Sequence, residues 1–260
     1  MGIEIFKKHM RERRAVKIIA GINNYDLDNV AKVCRASQMG HASAVDIAAG
    51  KEVYETARKN TKLPIFVSSV HPFELLEAAK MGADAIEIGN FDALYKIGQG
   101  YSAQEVYDIV LETMGLLNSY DVFTCATIPG CIHITEQIEL ARKFEILGVD
   151  LIQTEGLKVV SNSSNPSAQL VSYAEATIAN TLELSHHTAL PIMSASGITP
   201  QTAPLAFASG ACAVGVGSAV NKLDSEVAMS ATVMSVVSSI AHRNSIYHEI
   251  PTTKRELEMI

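Results

Sequence analysis

Eight short runs of β-branched and small apolar residues alternate along this chain with longer segments of helical periodicity. The runs are Val16–Ile22, Ala42–Ala48, Pro64–Val70, Ala83–Gly89, Val122–Ile128, Val149–Glu155, Pro191–Ala195 and Ala211–Gly217. Stretches such as Ile18-Ile19-Ala20-Gly21-Ile22 lack the polar alternation of a half-solvated strand. They suit a parallel sheet covered on its outer face. Strand–helix alternation of this count folds either as a doubly wound sheet or as a closed barrel.

Two features select the barrel. A glycine recurs where a helix hands over to the next strand, in Met39-Gly40-His41-Ala42, Met81-Gly82-Ala83-Asp84, Leu147-Gly148-Val149-Asp150 and Ser209-Gly210-Ala211-Cys212. Glycine ends a helix in the left-handed conformation and lets the strand start at once. The pattern Leu63-Pro64-Ile65, Ser68-Ser69, Pro72 and Gly82-Ala83 also returns as Leu190-Pro191-Ile192, Ser194, Pro200 and Gly210-Ala211. Strands 3–4 thus repeat as strands 7–8, the twofold pseudo-symmetry of an eight-stranded barrel. The expected fold is α/β: a single (β/α)8 TIM barrel over residues 16–243, with an N-terminal extension (1–15) and a polar C-terminal tail (244–260). Met1–Arg14 is expected to form an extra helix closing the barrel bottom. The polar loop Ser161–Ser167 reads either as a lid or as a plain connection.

A net charge of -7 argues against nucleic acid as a partner, and the basic run Lys7–Arg14 reads as the polar face of the first helix. Cys34, Cys125, Cys131 and Cys212 form no CxxC pair and are expected to stay reduced. No apolar run spans a bilayer and no secretory region opens the chain, so a soluble intracellular protein is expected, without a membrane partner. A homo-oligomer is compatible with the sequence.

Strand 7 runs into Ser194-Ala195-Ser196-Gly197-Ile198-Thr199-Pro200 and strand 8 into Gly215-Val216-Gly217-Ser218-Ala219. At the C-terminal face of a barrel, glycine admits an anion close to the backbone, and amides opening a helix point at it. Ser196, Gly197, Gly215, Gly217 and Ser218 are therefore the expected phosphate site, for a small phosphorylated metabolite. The stretch Pro191–Val220 resembles the closing segment of ribulose-phosphate-binding barrels, including N-acylmannosamine-6-phosphate epimerases and thiazole synthase. The whole chain is similar to the conserved "hypothetical chloroplast frame" proteins of algal plastids and cyanobacteria. That second resemblance rests on Lys17–Asp26, Val45-Asp46-Ile47-Ala48-Ala49, Val67-Ser68-Ser69-Val70 and Glu87-Ile88-Gly89-Asn90-Phe91-Asp92. It implies the barrel, a phosphate pocket, and a cytoplasmic or plastid-stromal location, and it brings no reaction.

Charged residues stand where a barrel strand wants valine or isoleucine. Lys17, Asp46 and Glu87 fall on strands 1, 2 and 4, with Gln153 and Glu155 on strand 6. Burying such charges is costly unless they are paired or used. Lys17, Asp46 and Glu87 are the candidate catalytic residues. Lys17 reads equally as a Schiff-base or acid/base lysine and as half of a structural ion pair near the barrel floor. Asn23, Ser69, Asn90, Thr127, Gln153 and Glu155 are the candidate substrate-binding residues, with Thr124 and Asp92 behind them. His71 and His133 follow strands 3 and 5, but neither has a partner at metal-ligand spacing, and no metal site is predicted. No cofactor is called for, while a flavin and a divalent cation held by Asp46 and Glu87 stay open. The first functional expectation is a lyase or isomerase/epimerase acting on a small phosphorylated sugar or keto metabolite. The alternatives are a non-catalytic phosphometabolite sensor and a flavin- or nucleotide-phosphate-binding barrel.

Overall fold

A computed structural model describes residues 2–95, 97–156 and 166–249. All eight expected strands form, each shorter than expected and β1 shifted to begin one residue earlier: β1 (Ala15–Ile19), β2 (Ala44–Ala48), β3 (Ile65–Ser69), β4 (Ala85–Ile88), β5 (Phe123–Ile128), β6 (Leu151–Thr154), β7 (Ile192–Ser194) and β8 (Ala213–Val216). They pair in parallel and in sequence order, and β8 pairs back onto β1 to close the barrel. Around them lie α1 (Glu4–Arg11), α2 (Leu27–Met39), α3 (Lys51–Asn60), α4 (Pro72–Lys80), α5 (Phe91–Tyr95) and α6 (Ala103–Leu117). The remaining helices are α7 (Ile134–Leu147), α8 (Pro166–Ser185), α9 (Ala203–Ala208), α10 (Ser218–Asn221) and α11 (Glu226–Glu249). The fold is a TIM barrel with an N-terminal helix.

Strand residues alternate between two environments. Val16, Ile18, Val45, Ile47, Ile65, Val67, Ile86, Ile88, Ile152, Val214 and Val216 belong to the core shared with the helices. Burying each such side chain contributes about 1.5–3 kcal/mol. The opposite parity faces the lumen, and its lower part is a second apolar cluster of Ala15, Ala44, Phe66, Ala85, Phe123, Cys125, Leu151, Met193 and Ala213. Helix α1 seals this end as expected. Its Phe6 packs edge-on against Phe66 and Phe123 at centroid distances of 5.0 and 6.2 Å, with Met10 beside it. Above these layers the lumen turns polar.

The glycine joints carry a correction. Gly82, Gly148 and Gly210 take φ of +89°, +78° and +108°, as their role requires, but Gly40 has φ of −81° and the left-handed residue is His41 at +62°. Gly40 is small for another reason: a Cβ there would lie 2.4 Å from Val233 on α11. The residue two or three places after the joint glycine does a second job at three of the joints. Ser43 Oγ, Asp84 Oδ2 and Asp150 Oδ2 accept from the amides of Val16, Ile65 and Thr124, at 3.0, 2.9 and 2.8 Å. Each satisfies an amide near the start of the preceding strand that the ladder would otherwise leave open.

At the other end, α11 continues to Glu249, past Arg243 where the barrel was expected to stop. Of the polar loop read either as a lid or as a plain connection, residues 161–165 lie outside the described residues, as does Lys158, while Pro166 and Ser167 already belong to α8. Among the described residues no helix is long and apolar enough to cross a membrane.

Candidate functional site

The polar layer is built from inward-facing residues of β1 to β6. Lys17 Nζ donates to Glu87 Oε2 at 2.7 Å and lies 3.9 Å from Asp46 Oδ2, with the Phe66 ring centroid 4.9 Å away. Glu87 Oε1 accepts from Thr127 Oγ1 at 2.5 Å. Thr127 in turn accepts from Gln153 Nε2 at 3.0 Å. Gln153 Nε2 also donates to Asn90 Oδ1 at 2.8 Å, and Asn90 Nδ2 donates to Asp46 Oδ2 at 3.1 Å and to Ser68 Oγ at 2.9 Å. Ser68 Oγ donates to Asp46 Oδ1, which closes the circuit. Lys17, Asp46, Ser68, Glu87, Thr127 and Gln153 are each 1% exposed or less.

Asn90 joins this layer although it lies beyond the end of β4. Gly89 (φ +131°) and Asn90 (φ +75°) both take positive φ, and the chain reversal sends the Asn90 side chain back to Asp46 and Gln153. Gly89 also has to be glycine because a Cβ would sit 2.5 Å from Thr127 Cβ. Thr127 thereby approaches closely enough to accept from the Asn90 amide at 3.3 Å.

One lysine faces two carboxylates here, and burial decides how they share it. Burial pushes the Asp46 carboxyl up to about 6, aided by the Glu87 charge and opposed by Lys17 and the bonds from Ser68 and Asn90. Burial works against the Lys17 ammonium, but Glu87 and Asp46 override it and hold the amine above its ordinary value. A charged, hydrogen-bonded ammonium is a poor nucleophile, so this geometry suits a fixed cation better than a Schiff-base amine. The same ammonium lies within reach of both carboxylates, at the position a cation bound by Asp46 and Glu87 would contest. Among the described residues no group of three or more His, Cys, Asp or Glu is arranged to hold a metal ion.

A second polar group lies at the mouth. Glu155 Oε2 accepts from the Asp92 amide at 3.0 Å, and Ser196 Oγ donates to Asp92 Oδ2. Ser196 has φ of +71° and its carbonyl accepts from Thr177 on α8 at 3.0 Å. Its hydroxyl is thus committed to a carboxylate, and what it can offer an anion is backbone. Gly197 has φ of +74°, and a Cβ there would lie 2.1 Å from the Tyr173 carbonyl oxygen, so close packing on α8 requires it. Gly215 faces the lumen opposite Lys17 in the β1–β8 register. Gly217 caps α10, and a Cβ there would meet nothing nearer than 3.8 Å. Ser218 begins that helix and is exposed. Asn221 ties α10 to the end of β1 through bonds to the carbonyls of Ile19 and Ala20, at 2.9 and 3.1 Å.

The structure therefore brings Lys17, Asp46, Glu87, Asn90, Thr127 and Gln153 into one network and sets Glu155 with Asp92 and Ser196 above it. Two candidates stand apart. Asn23 is exposed, because β1 ends at Ile19 and Gly21 (φ +124°) breaks the alternation. Ser69 faces the helices, where its hydroxyl donates to Glu74 Oε2 at 2.6 Å; Ser68, one residue earlier, is the inward hydroxyl. His133 caps α7 by accepting from the Thr135 amide. Thr124 bonds Asp150 at the strand start. The sequence reading missed Ser68, which only the strand register distinguishes from its neighbour.

The comparisons with known proteins agree with this architecture. A family profile described as "Protein of unknown function (DUF561)" matches residues 4–246. The "Uncharacterized protein ycf23" of Porphyra purpurea is 31% identical over 253 residues, covering 96% of this chain and 95% of that one. Its namesake from Cyanophora paradoxa is 36% identical over 219 residues, covering 83% and 88%. Among solved structures, (S)-3-O-geranylgeranylglyceryl phosphate synthase from Thermoplasma acidophilum, in complex with its substrate sn-glycerol-1-phosphate, superposes with a TM-score of 0.61. The two are 14% identical, and 93% of this chain and 99% of that one are covered. The N-acetylmannosamine-6-phosphate 2-epimerase of Clostridium perfringens has a TM-score of 0.55 at 18% identity, with 79% and 86% covered. These structural likenesses show a shared barrel, and the sequence matches show the lineage: the chain belongs to the DUF561 family, with the ycf23 proteins as its relatives.

Proposed function

We propose that this protein is an enzyme that moves protons on a small phosphorylated sugar or keto metabolite, as a lyase or as an isomerase/epimerase. The observation that supports it most is the buried centre of Lys17, Asp46 and Glu87 beneath the mouth of the barrel. A carboxyl pushed up to about 6 exchanges protons near neutral pH, which is what a general acid/base needs. Glu87, held by Lys17 and Thr127, is the fixed partner, and Lys17 supplies positive charge against a developing enediolate. The metabolite's phosphate would lie on the backbone of Gly197, Gly217 and Ser218, with Gly215 below. Asn90, Gln153 and Glu155 would meet its other polar groups. Both structural neighbours named above carry a phosphate ester in their names, which supports the same ligand class. The family name given to the relatives supports a plastid stroma or cyanobacterial cytoplasm as the place of action.

The test is a thermal-shift screen of phosphorylated metabolites and inorganic phosphate on the wild type and Gly217→Asp. A ligand present at about 100 times its Kd adds about 2.7 kcal/mol to stability, enough for a clear rise in Tm. The expected result is a ligand-dependent rise in the wild type that Gly217→Asp abolishes, because a carboxylate then stands where the anion binds. Wild-type protein unmoved by every phosphorylated compound overturns the proposal.

A further inference from the structure

Every hydrogen bond in the polar layer has a direction, and the directions leave one acceptor over. A carboxylate only accepts, so Thr127 Oγ1 must spend its single proton on Glu87. Thr127 can then only accept from Gln153, which fixes the Gln153 amide with Nε2 towards Thr127 and Asn90 Oδ1. Asn90 is oriented by the same logic from its other side, since its Nδ2 faces Asp46 and Ser68. Flipping either amide would set acceptor against acceptor. Gln153 Oε1 is therefore held in place as an acceptor, yet it is buried and has no hydrogen-bond partner among the described residues. On the β8 side it faces Gly215: a Cβ built there would lie 3.3 Å from it, 3.0 Å from Ala195 Cβ and 3.0 Å from Ile19 Cδ1.

We infer that Gln153 Oε1 is a specificity determinant, which accepts a hydrogen bond from a hydroxyl of the ligand. This rests on the proposed phosphorylated ligand and narrows it to a hydroxylated carbon skeleton. Three things support the assignment. The acceptor is oriented by a chain that starts at the charged centre, so a hydroxyl bound there is linked through Gln153 and Thr127 to Glu87 and Lys17. A buried acceptor without a donor is costly to keep and is rarely tolerated unless something binds it. The cover is light: Ala195 and Gly215 are small, and Ile19, which is only partly buried, is the flexible side chain above. On this reading, rotation of the Ile19 side chain is the movement that opens the oxygen to the mouth. The glycine is required on this reading, because a methyl at Gly215 would press on the oxygen that the ligand has to reach.

The experiment compares sn-glycerol 1-phosphate and ribulose 5-phosphate with propyl and pentyl phosphate, by calorimetry or thermal shift. Inorganic phosphate, free glycerol and free ribulose are run alongside, on wild type, Gly215→Ala and Ile19→Ala. The wild type is expected to prefer at least one hydroxylated phosphate over the alkyl phosphate of equal length by about tenfold or more, the worth of one good hydrogen bond. Gly215→Ala should bring that ratio to within about twofold, with the alkyl phosphate of equal length serving in the same variant as the control for whatever the methyl does to phosphate binding. Ile19→Ala keeps every polar group and should preserve or raise the ratio, which guards against a Gly215→Ala protein that fails to fold. Phosphates that bind without discrimination, or a preference that survives Gly215→Ala, overturn the inference and leave the phosphate reading standing. Free polyols that bind in a Gly215-dependent way while no phosphate binds leave the inference standing and overturn the phosphate reading. If no probe binds, both fall.

Discussion

Asp46 lies fully buried near an ammonium that a second carboxylate holds more closely. Its folded value of about 6 lies above the ordinary aspartate value, so between roughly pH 4 and 6 the folded chain holds a proton that the unfolded chain has lost. Stability from this group is full below about pH 4 and is lost as the pH rises through about 6. Asp46→Asn should remove that slope. Chemical denaturation of both proteins from pH 4 to 7 should show the wild-type advantage over Asp46→Asn shrinking as pH rises; a difference that stays constant would contradict the assignment. Lys17, Asp46 and Glu87 were legible in the sequence because a charge within an apolar strand is conspicuous and expensive. Ser68 was not legible, since Ser68 and Ser69 are the same residue type on opposite faces and only the pairing of Ser68 with Glu87 decides between them. Gly197 was legible as a special position, but its reason, the close carbonyl of Tyr173, lies on a helix more than twenty residues earlier.

At the level of elements, alternation and the joint glycines identified every strand, because each strand's outer face must match a helix. What they did not identify was packing across the barrel's seam. Gly40 looked like the other joint glycines, yet its constraint comes from α11, an element that contacts α2 from the far end of the chain. Gly40→Ala should therefore destabilise by about 1–3 kcal/mol, the usual cost of overpacking, although its φ suits alanine. Val233→Gly in the same chain, which removes both the Cβ and the Cγ1 that crowd this position, should return part of that loss beyond its own helix cost of about 1 kcal/mol. A double-mutant cycle by urea denaturation measures the coupling, and strict additivity of the two substitutions would refute the contact as the cause.

Taken as a whole, the barrel is held from inside as well as from outside. The network from Lys17 through Glu87, Thr127, Gln153, Asn90, Asp46 and Ser68 links inward residues of β1 to β6 across the lumen. Removing its one cation leaves two carboxylates buried together, so Lys17→Met should cost about 3–5 kcal/mol and lower the midpoint of global unfolding. Adding Asp46→Asn and Glu87→Gln should recover much of it, because neutral amides no longer repel; equilibrium denaturation of the single and triple variants decides this. The stopper of Phe6, Phe66 and Phe123 has a consequence for traffic. With one end of the lumen shut by rings packed edge to face, anything that visits the charged centre arrives through the strand C-termini and leaves by the same doorway. If the protein acts as proposed, substrate and product share that one route.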